Sequence, residues 1–188
     1  LGDYVDRGPD SSGVIDYLIN WPWRAKLVLL RGNHEIIMSE SIFSAEHLTY
    51  WCSVGGLETI ASYKGAKVAN IPKSHWKFVA RGKAYFETKK VIYVHGGVAA
   101  KKALGKQDPV DMAWRRFPAA KKHFSGKLVV CGHTIQREGV PTDAGHTICI
   151  DIAACRGGWL TCLEAKTRRY WQANEKGRTR KGVLRKKK

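Results

Sequence analysis

Two short clusters of polar side chains near the start of the chain have the composition of a reactive site. Residues 2–8 (GDYVDRG) place two carboxylates and a guanidinium between glycines that permit a tight turn. Residues 32–35 (GNHE) add an amide, an imidazole and another carboxylate. Carboxylate, amide and imidazole groups together suit manganese, iron and zinc. The two clusters therefore predict a site for a divalent metal ion.

Two histidines stand where short apolar runs end. The run 91–94 (VIYV) leads into His95, and the run 128–131 (LVVC) leads into His133. A third run, 26–30 (KLVLL), leads into the GNHE cluster. In layered α/β folds, ligands bind outside the carboxyl ends of the strands. We therefore expect these polar groups to converge although they are far apart in sequence.

Each of these residues also has an ordinary structural interpretation. Asp3 and Asp6 could cap the helix that follows, Asn33 could be a turn residue, and Arg7 could form a surface ion pair. The histidines could be hydrogen-bonded loop residues. The combination favours a reactive site over these separate alternatives.

The order of the motifs resembles the calcineurin-like metallophosphoesterases, specifically the bacterial and phage members of their phosphoprotein phosphatase branch. The similarity rests on GDYVDRG, GNHE, HGG at 95–97 and GH at 132–133, supported by residues 51–63 and 150–163. It implies an α/β class, the layered metallophosphoesterase fold with a mixed β-sheet sandwich flanked by helices. This domain would occupy residues 1–172, followed by a basic tail at 173–188.

The resemblance also implies roles residue by residue. The implied metal ligands are Asp3, which would bridge two ions, and Asn33, His95 and His133. The implied catalytic groups are His34 as general acid, Asp6 as its orienting carboxylate, and Arg7 and Arg116 on the phosphate oxygens, with Arg115 as the alternative to Arg116. The cofactors would be two divalent ions, manganese before iron or zinc.

The family normally opens with a strand ending in an Asp-x-His pair, and this chain starts at Leu1, directly on the next motif. Since that pair supplies two ligands of the first metal, we expect at most one well-formed metal site in the chain. Either the chain is a fragment of a longer protein or it is a natural truncation. The retained Asp6, Arg7 and His34 favour the fragment.

Three functions are compatible with these motifs. The first is hydrolysis of phosphate monoesters, as in a serine/threonine protein phosphatase, on a phosphoprotein or a small phosphate ester. The second is hydrolysis of a nucleotide, as in a diadenosine tetraphosphatase. The third is a non-catalytic module that binds nucleic acid or another acidic partner through its basic tail.

Composition indicates the number of domains and the expected compartment of the protein. The 188 residues are 44% hydrophobic, which suits one domain, and no run approaches the ~18 apolar residues of a membrane span. Five cysteines without zinc-type spacing suggest buried thiols in a reducing compartment, so we expect a cytoplasmic protein with no membrane partner. The net charge is +17, and residues 166–188 hold eleven bases against one acid.

Hydrophobic spacing gives the expected elements. Helices are predicted over 10–21, with Ser11 or Ser12 as the N-cap, and over 35–44 and 57–62. Besides the three apolar runs, short strands are predicted over 76–79 and 84–87, and an antiparallel ribbon over 147–152, 159–164 and 169–172. The tail is predicted to be disordered or peripheral.

Overall fold

The computed structural model describes residues 1–184, which form two compact units. The first unit is Gly2–Lys83, and the second consists of Leu1 with the residues from 84 onward. The end of the predicted basic tail, 185–188, lies outside the described residues. No helix within 1–184 is long and apolar enough to cross a lipid bilayer.

The first unit is helical. Its helices are α1 (Ser11–Ile19), α2 (Asn33–Glu40), α3 (Ala45–Trp51), α4 (Leu57–Ala61) and α5 (Lys73–Ala80). The N-cap of α1 is Asp10 and not the predicted Ser11 or Ser12, because the carboxylate of Asp10 accepts the hydrogen bond from the amide of Gly13 at 2.9 Å. Helix α2 begins at Asn33, two residues earlier than predicted, which places the GNHE cluster at a helix N-terminus.

The core of this unit is built around Trp51, which is fully buried together with Ile15 and Met38. The strand predicted over 76–79 is wrong, because these residues belong to α5. Pro72 precedes the helix, and the buried residues Phe78 and Val79 follow the buried His75 at helical spacing.

The apolar run 26–30 does not form the predicted strand among the described residues. Only Leu30 makes a bridge, in parallel with Lys83. The amide of Lys83 donates to the carbonyl of Leu29 at 3.0 Å, and the amide of Arg31 donates back to Lys83 at 2.9 Å. The run is extended and leads into α2, but pairing at one residue does not build a ladder.

The second unit contains a five-stranded mixed sheet in the order β1-β2-β3-β5-β4. The strands are β1 (Tyr85–Glu87), β2 (Val91–Val94), β3 (Leu128–Cys131), β4 (Thr142–Asp143) and β5 (Thr147–Cys149). Strands β2, β3 and β5 are parallel, while β1 and β4 pair antiparallel at the two edges. Helix α6 (Pro109–Trp114) contributes Met112 to a core formed with Ile92, Val94 and Val129. The predicted α/β class is confirmed.

A second, three-stranded antiparallel sheet follows, consisting of β6 (Leu160–Glu164), β7 (Arg169–Ala173) and β8 (Thr179–Val183). The prediction that the last strand closes at residue 172 is wrong, because β8 adds a strand within the predicted tail. Its sequence, TRKGV, has little hydrophobic signal. The strand forms through backbone pairing to β7 across a tight turn in which Asn174 accepts hydrogen bonds and Gly177 has a φ of +70°.

Candidate active site

The loop that carries the two aspartates has an unusual backbone. Asp3, Asp6 and Arg7 all have positive φ angles, 57°, 76° and 63°. Left-handed conformations are uncommon for residues other than glycine and concentrate at functional sites, where the surrounding structure enforces them. The loop is therefore held in a conformation that its own sequence does not prefer.

Glu35, the last residue of GNHE, is one of the groups that hold this loop. It is 1% exposed, and its carboxylate accepts hydrogen bonds from the backbone amides of Asp3 at 2.7 Å, Tyr4 at 2.6 Å and Gly32 at 2.7 Å. One buried side chain thus ties GDYVDRG to GNHE within the first unit. Sequence reasoning missed this role, although an acid at the third position of a helix is the signal of a capping box.

Asp6 and His34 form a buried pair. Nδ1 of His34 lies 2.6 Å from Oδ2 of Asp6, and the residues are 4% and 6% exposed. The other carboxylate oxygen accepts hydrogen bonds from the indole of Trp51 at 2.9 Å and the hydroxyl of Thr59 at 2.8 Å. With the carboxylate fixed by these donors, the imidazole is held in one orientation, as a general acid requires.

The charge state of His34 follows from its surroundings. Burial opposes protonation of the ring, but the hydrogen bond to Asp6 and the negative charges of Asp3 and Asp6 outweigh it and raise the pKa of His34. Since Nδ1 is engaged with Asp6, Nε2 is the atom from which a proton can pass to a reacting group.

Arg7 is placed by a close backbone approach. Its amide donates to the carbonyl of Gly55 at 3.1 Å, and its Nε donates to the carbonyl of Val54 at 3.2 Å. Gly55 has a φ of +125°, and a Cβ there would lie 2.6 Å from Cγ of Arg7, so a larger residue would displace the arginine. The side chain is exposed and is anchored through its Nε.

Asn33 occupies the first position of α2 and is 4% exposed. The amide of His34 donates to Oδ1 of Asp3 at 3.3 Å, so the start of α2 also contacts the aspartate loop through the backbone. The first unit therefore brings together Asp3, Asp6, Asn33 and His34, as the sequence predicts.

In the second unit, His95 and His133 lie side by side. His95 directly follows β2, and His133 follows β3, its parallel neighbour in the sheet. Their ring centroids are 5.2 Å apart, and Trp114 packs edge-on against His133 at 5.8 Å. The prediction that the carboxyl ends of these two strands bring the histidines together holds in the structure. Their role as metal ligands stays a prediction.

The tautomer of His95 follows from its hydrogen bond. Nδ1 lies 2.9 Å from the carbonyl oxygen of Leu1, which can only accept, so Nδ1 carries the proton. A neutral ring with this tautomer has its lone pair on Nε2. Metal-binding histidines are commonly oriented in this way by a carbonyl or carboxylate.

The two candidate phosphate-binding arginines differ in their contacts. Arg115 is partly buried, forms an ion pair with Asp111, and has an Nε without a hydrogen-bond partner among residues 1–184. Arg116 is exposed and has no ion pair within that part of the chain. Both line a small recess beside Gly96 and Gly97. Arg116 is thus the one available to an incoming anion, and Arg115 is already engaged.

A family model described as calcineurin-like phosphoesterase matches residues 1–149. The chain therefore belongs to the calcineurin-like phosphoesterase family, whose members usually bind divalent metals. The family predicted from the motifs is confirmed.

Two curated proteins are similar to the chain. Bis(5'-nucleosyl)-tetraphosphatase PrpE [asymmetrical] of Anoxybacillus flavithermus is 27% identical over 186 residues, which covers 87% of this chain and 73% of that protein. Zinc-dependent endopolyphosphatase of Saccharomyces cerevisiae is 47% identical over 38 residues, only 20% of this chain and 11% of that protein. The second similarity is confined to a short segment.

A solved structure, "Crystal structure of a putative diadenosine tetraphosphatase", matches with a TM-score of 0.59 at 15% identity. The match covers 96% of this chain and 77% of that one. At this identity the match establishes the fold alone. It confirms the predicted metallophosphoesterase fold.

Proposed function

We propose that this chain is the catalytic part of a metal-dependent hydrolase that cleaves a P–O bond in a dinucleoside polyphosphate. The observation that carries the proposal is the buried pair of His34 and Asp6, 2.6 Å apart, in a chain of the calcineurin-like phosphoesterase family. A buried, carboxylate-held imidazole is suited to donate a proton to the oxygen that leaves phosphorus.

The metal ligands follow from the donor types. Asp3 and Asn33 would contribute oxygens and His95 and His133 would contribute nitrogens, with manganese as the first choice and iron or zinc as alternatives. We propose two divalent ions in all, one of which these four residues would hold. Bound divalent ions would supply charge neutralisation and a water of lowered pKa.

The remaining residues have distinct roles in the reaction. As the bond between phosphorus and the leaving oxygen breaks, His34 would donate the Nε2 proton to that oxygen, and Asp6 would stabilise the ring before transfer. Arg7 and Arg116 would bind the non-bridging phosphate oxygens, since guanidinium groups offer paired donors. Water supplies the new P–O bond, so the products are two phosphorylated fragments.

The substrate class is proposed from the relatives. The tetraphosphatase of Anoxybacillus flavithermus is similar along 87% of this chain, and its name specifies a bis(5'-nucleosyl) tetraphosphate as the substrate and calls the enzyme asymmetrical. The second candidate substrate is phosphoserine or phosphothreonine in a protein, which is favoured by the GDYVDRG and GNHE motifs and their resemblance to the phosphoprotein phosphatase branch.

A substrate panel separates these candidates. The full-length protein, loaded with Mn²⁺, would be given diadenosine tetraphosphate, a phosphoserine peptide and nitrophenyl phosphate at equal concentrations. We expect kcat/KM to be highest for the dinucleotide, with a nucleoside triphosphate and monophosphate as products. A preference for the phosphoserine peptide would support the second candidate. No hydrolysis of any substrate with Mn²⁺, Fe²⁺ or Zn²⁺ would overturn the proposal and favour a non-catalytic module.

A further inference from the structure

The three-stranded sheet exposes one complete face. In β6 and β7 exposed residues alternate with less exposed ones, whereas in β8 every residue except Gly182 is exposed. The register places the exposed residues of one face opposite each other. The resulting face has three rows: Leu160, Ala173 and Thr179; Cys162, Trp171 and Lys181; Glu164, Arg169 and Val183. All nine residues are exposed.

A tryptophan occupies the centre of this face. Trp171 is 44% exposed, and no hydrogen bond or ring contact of its indole is found within residues 1–184. The opposite face of the sheet is the one that is held in place, because the buried Gln172 donates to Gly139 and accepts from Arg180. Leu160 and Val183 lie diagonally on either side of Trp171 on the same face and are 70% and 62% exposed, and exposed patches of this kind commonly mark binding surfaces.

Two cations and one acid flank the indole, since Glu164 lies opposite Arg169 in the register. Lys181 is the direct neighbour of Trp171 on β8, and Arg169 lies two residues from Trp171 on β7. Neither forms an ion pair within residues 1–184. The cations on the other side of the sheet are engaged, since Arg180 lies over the ring of Trp159 at 4.0 Å and Arg168 pairs with Asp143.

The segment that contains this sheet, residues 160–184, has a net positive charge. Between residues 160 and 184 the sequence has seven Lys or Arg side chains against two acids, and residues 185–188 add four more bases. The face itself spans three strands of five residues, roughly 10 by 17 Å from standard strand spacings. This area can accept about two or three nucleotides of an extended strand.

We propose that this face binds single-stranded nucleic acid, with a base stacked on Trp171 and the adjacent phosphates paired with Arg169 and Lys181. Proteins that bind single strands combine aromatic stacking platforms with a cationic path for the backbone. An acidic polypeptide would use the cations but gain little from the flat indole. A duplex keeps its bases stacked on each other and so cannot use the indole either. The surface lies outside the proposed catalytic residues and adds a second activity to the chain.

The test measures binding of fluorescein-labelled oligo(dT) and oligo(U), each about ten nucleotides long and without terminal phosphates, by fluorescence anisotropy. Trp171→Ala should weaken binding roughly tenfold, because loss of one stacked base typically has an effect of this order. Trp171→Phe should retain most of the affinity. Trp23→Ala, which removes an exposed tryptophan from the first unit, should leave it unchanged.

Salt dependence tests the charged groups. Lys181→Gln should reduce the slope of log affinity against log salt by about 0.7, the value expected for one phosphate contact on a single strand. Lys64→Gln, at an exposed position of the first unit, is the matched control and should not change the slope. Circular dichroism of each variant would establish that the sheet remains folded.

Four outcomes would overturn the proposal. The first is that folded Trp171→Ala binds the oligonucleotides as tightly as the unsubstituted protein does. The others are that the unsubstituted protein binds a duplex of the same length, polyglutamate, or vesicles containing phosphatidylserine as tightly as it binds the single strands. A loss of binding in Arg116→Ala with none in Trp171→Ala would place the oligonucleotide at the candidate active site and would also count against this face.

Discussion

The Nδ1 atom of His34 lies 2.6 Å from Oδ2 of Asp6, and the second oxygen of that carboxylate is occupied by donors from Trp51 and Thr59. The carboxylate therefore cannot rotate without losing hydrogen bonds in a buried environment. This relationship fixes where the imidazole can deliver a proton, and it makes the role of each partner separately testable.

Replacing His34 by asparagine should remove the proton donor and leave the metal ligands in place. We expect kcat on diadenosine tetraphosphate, the proposed substrate, to fall by ~10²–10⁴, the usual contribution of a general acid. The loss should be smaller on dinitrophenyl phosphate, whose leaving group is a much weaker base and needs no proton. Metal affinity, measured by isothermal titration calorimetry, should change little. An equal loss of metal affinity and activity would contradict the assignment.

Trp51→Phe tests the support of the carboxylate. The substitution keeps an aromatic ring in the core but removes the donor to Oδ1 of Asp6, leaving only Thr59 on that oxygen. The free energy of unfolding should fall by about 1–3 kcal/mol, since a buried charged acceptor loses a partner. Urea denaturation measures this effect. Trp23→Phe, at an exposed site, is the control and should be close to neutral.

Glu35→Gln tests how the two motifs are held together. An amide cannot accept from three backbone donors as the carboxylate does, because one of its two terminal groups is itself a donor. We expect a loss of about 1–3 kcal/mol in the free energy of unfolding. Because Asp3 would be released, Mn²⁺ affinity should fall roughly tenfold, as for other residues that support metal ligands.

The control for this experiment is Glu40→Gln, at the exposed C-terminal end of the same helix. It removes one negative charge from the same helix without touching the aspartate loop. If both variants lower Mn²⁺ affinity equally, the effect is one of overall charge, and Glu35 does not position the loop.

The sequence indicates the candidate site residues but not the groups that hold them in place. The proximity of His95 and His133 could be predicted from the sequence, because each follows a short apolar run. The two runs form neighbouring parallel strands. Trp51 lies 45 residues from Asp6, and no local pattern indicates that their side chains meet. Glu35 is part of a recognised motif, but its function lies in backbone hydrogen bonds that only the folded loop reveals.

Secondary structure was mispredicted where pairing or helical context overrides local pattern. The segment WKFV at 76–79 has the composition of a strand, yet Pro72 starts a helix that buries Phe78 and Val79 on one side. Strand β8 was not predicted, since its composition is that of a solvated tail. Its backbone is paired along its whole length with β7, which supplies the order that its side chains do not indicate.

The two arginines beside the glycine motif give a paired prediction. Arg116→Ala should lower kcat/KM for every phosphate substrate, because its exposed guanidinium would bind the non-bridging oxygens. Arg115→Ala removes the ion pair with Asp111 and should lower the melting temperature slightly, because a partly exposed ion pair contributes little energy. It should leave kcat/KM within about twofold. A larger kinetic effect of Arg115→Ala would exchange the two roles.

Two truncations test the basic C-terminal segment. Removing residues 177–188 deletes β8 and with it every backbone pair on that side of β7, so this truncation should lower the melting temperature.

Removing only residues 185–188 deletes four positive charges and leaves β8 complete. The shorter truncation should leave hydrolysis of nitrophenyl phosphate nearly unchanged, because the proposed metal and phosphate ligands all precede residue 134. The shorter truncation should weaken oligonucleotide binding at low salt and have less effect as salt rises. The reason is that screening limits the range of surface electrostatic interactions to about 8 Å at physiological ionic strength. A large loss of nitrophenyl phosphate hydrolysis in the shorter truncation would show that these four residues contribute to the active site.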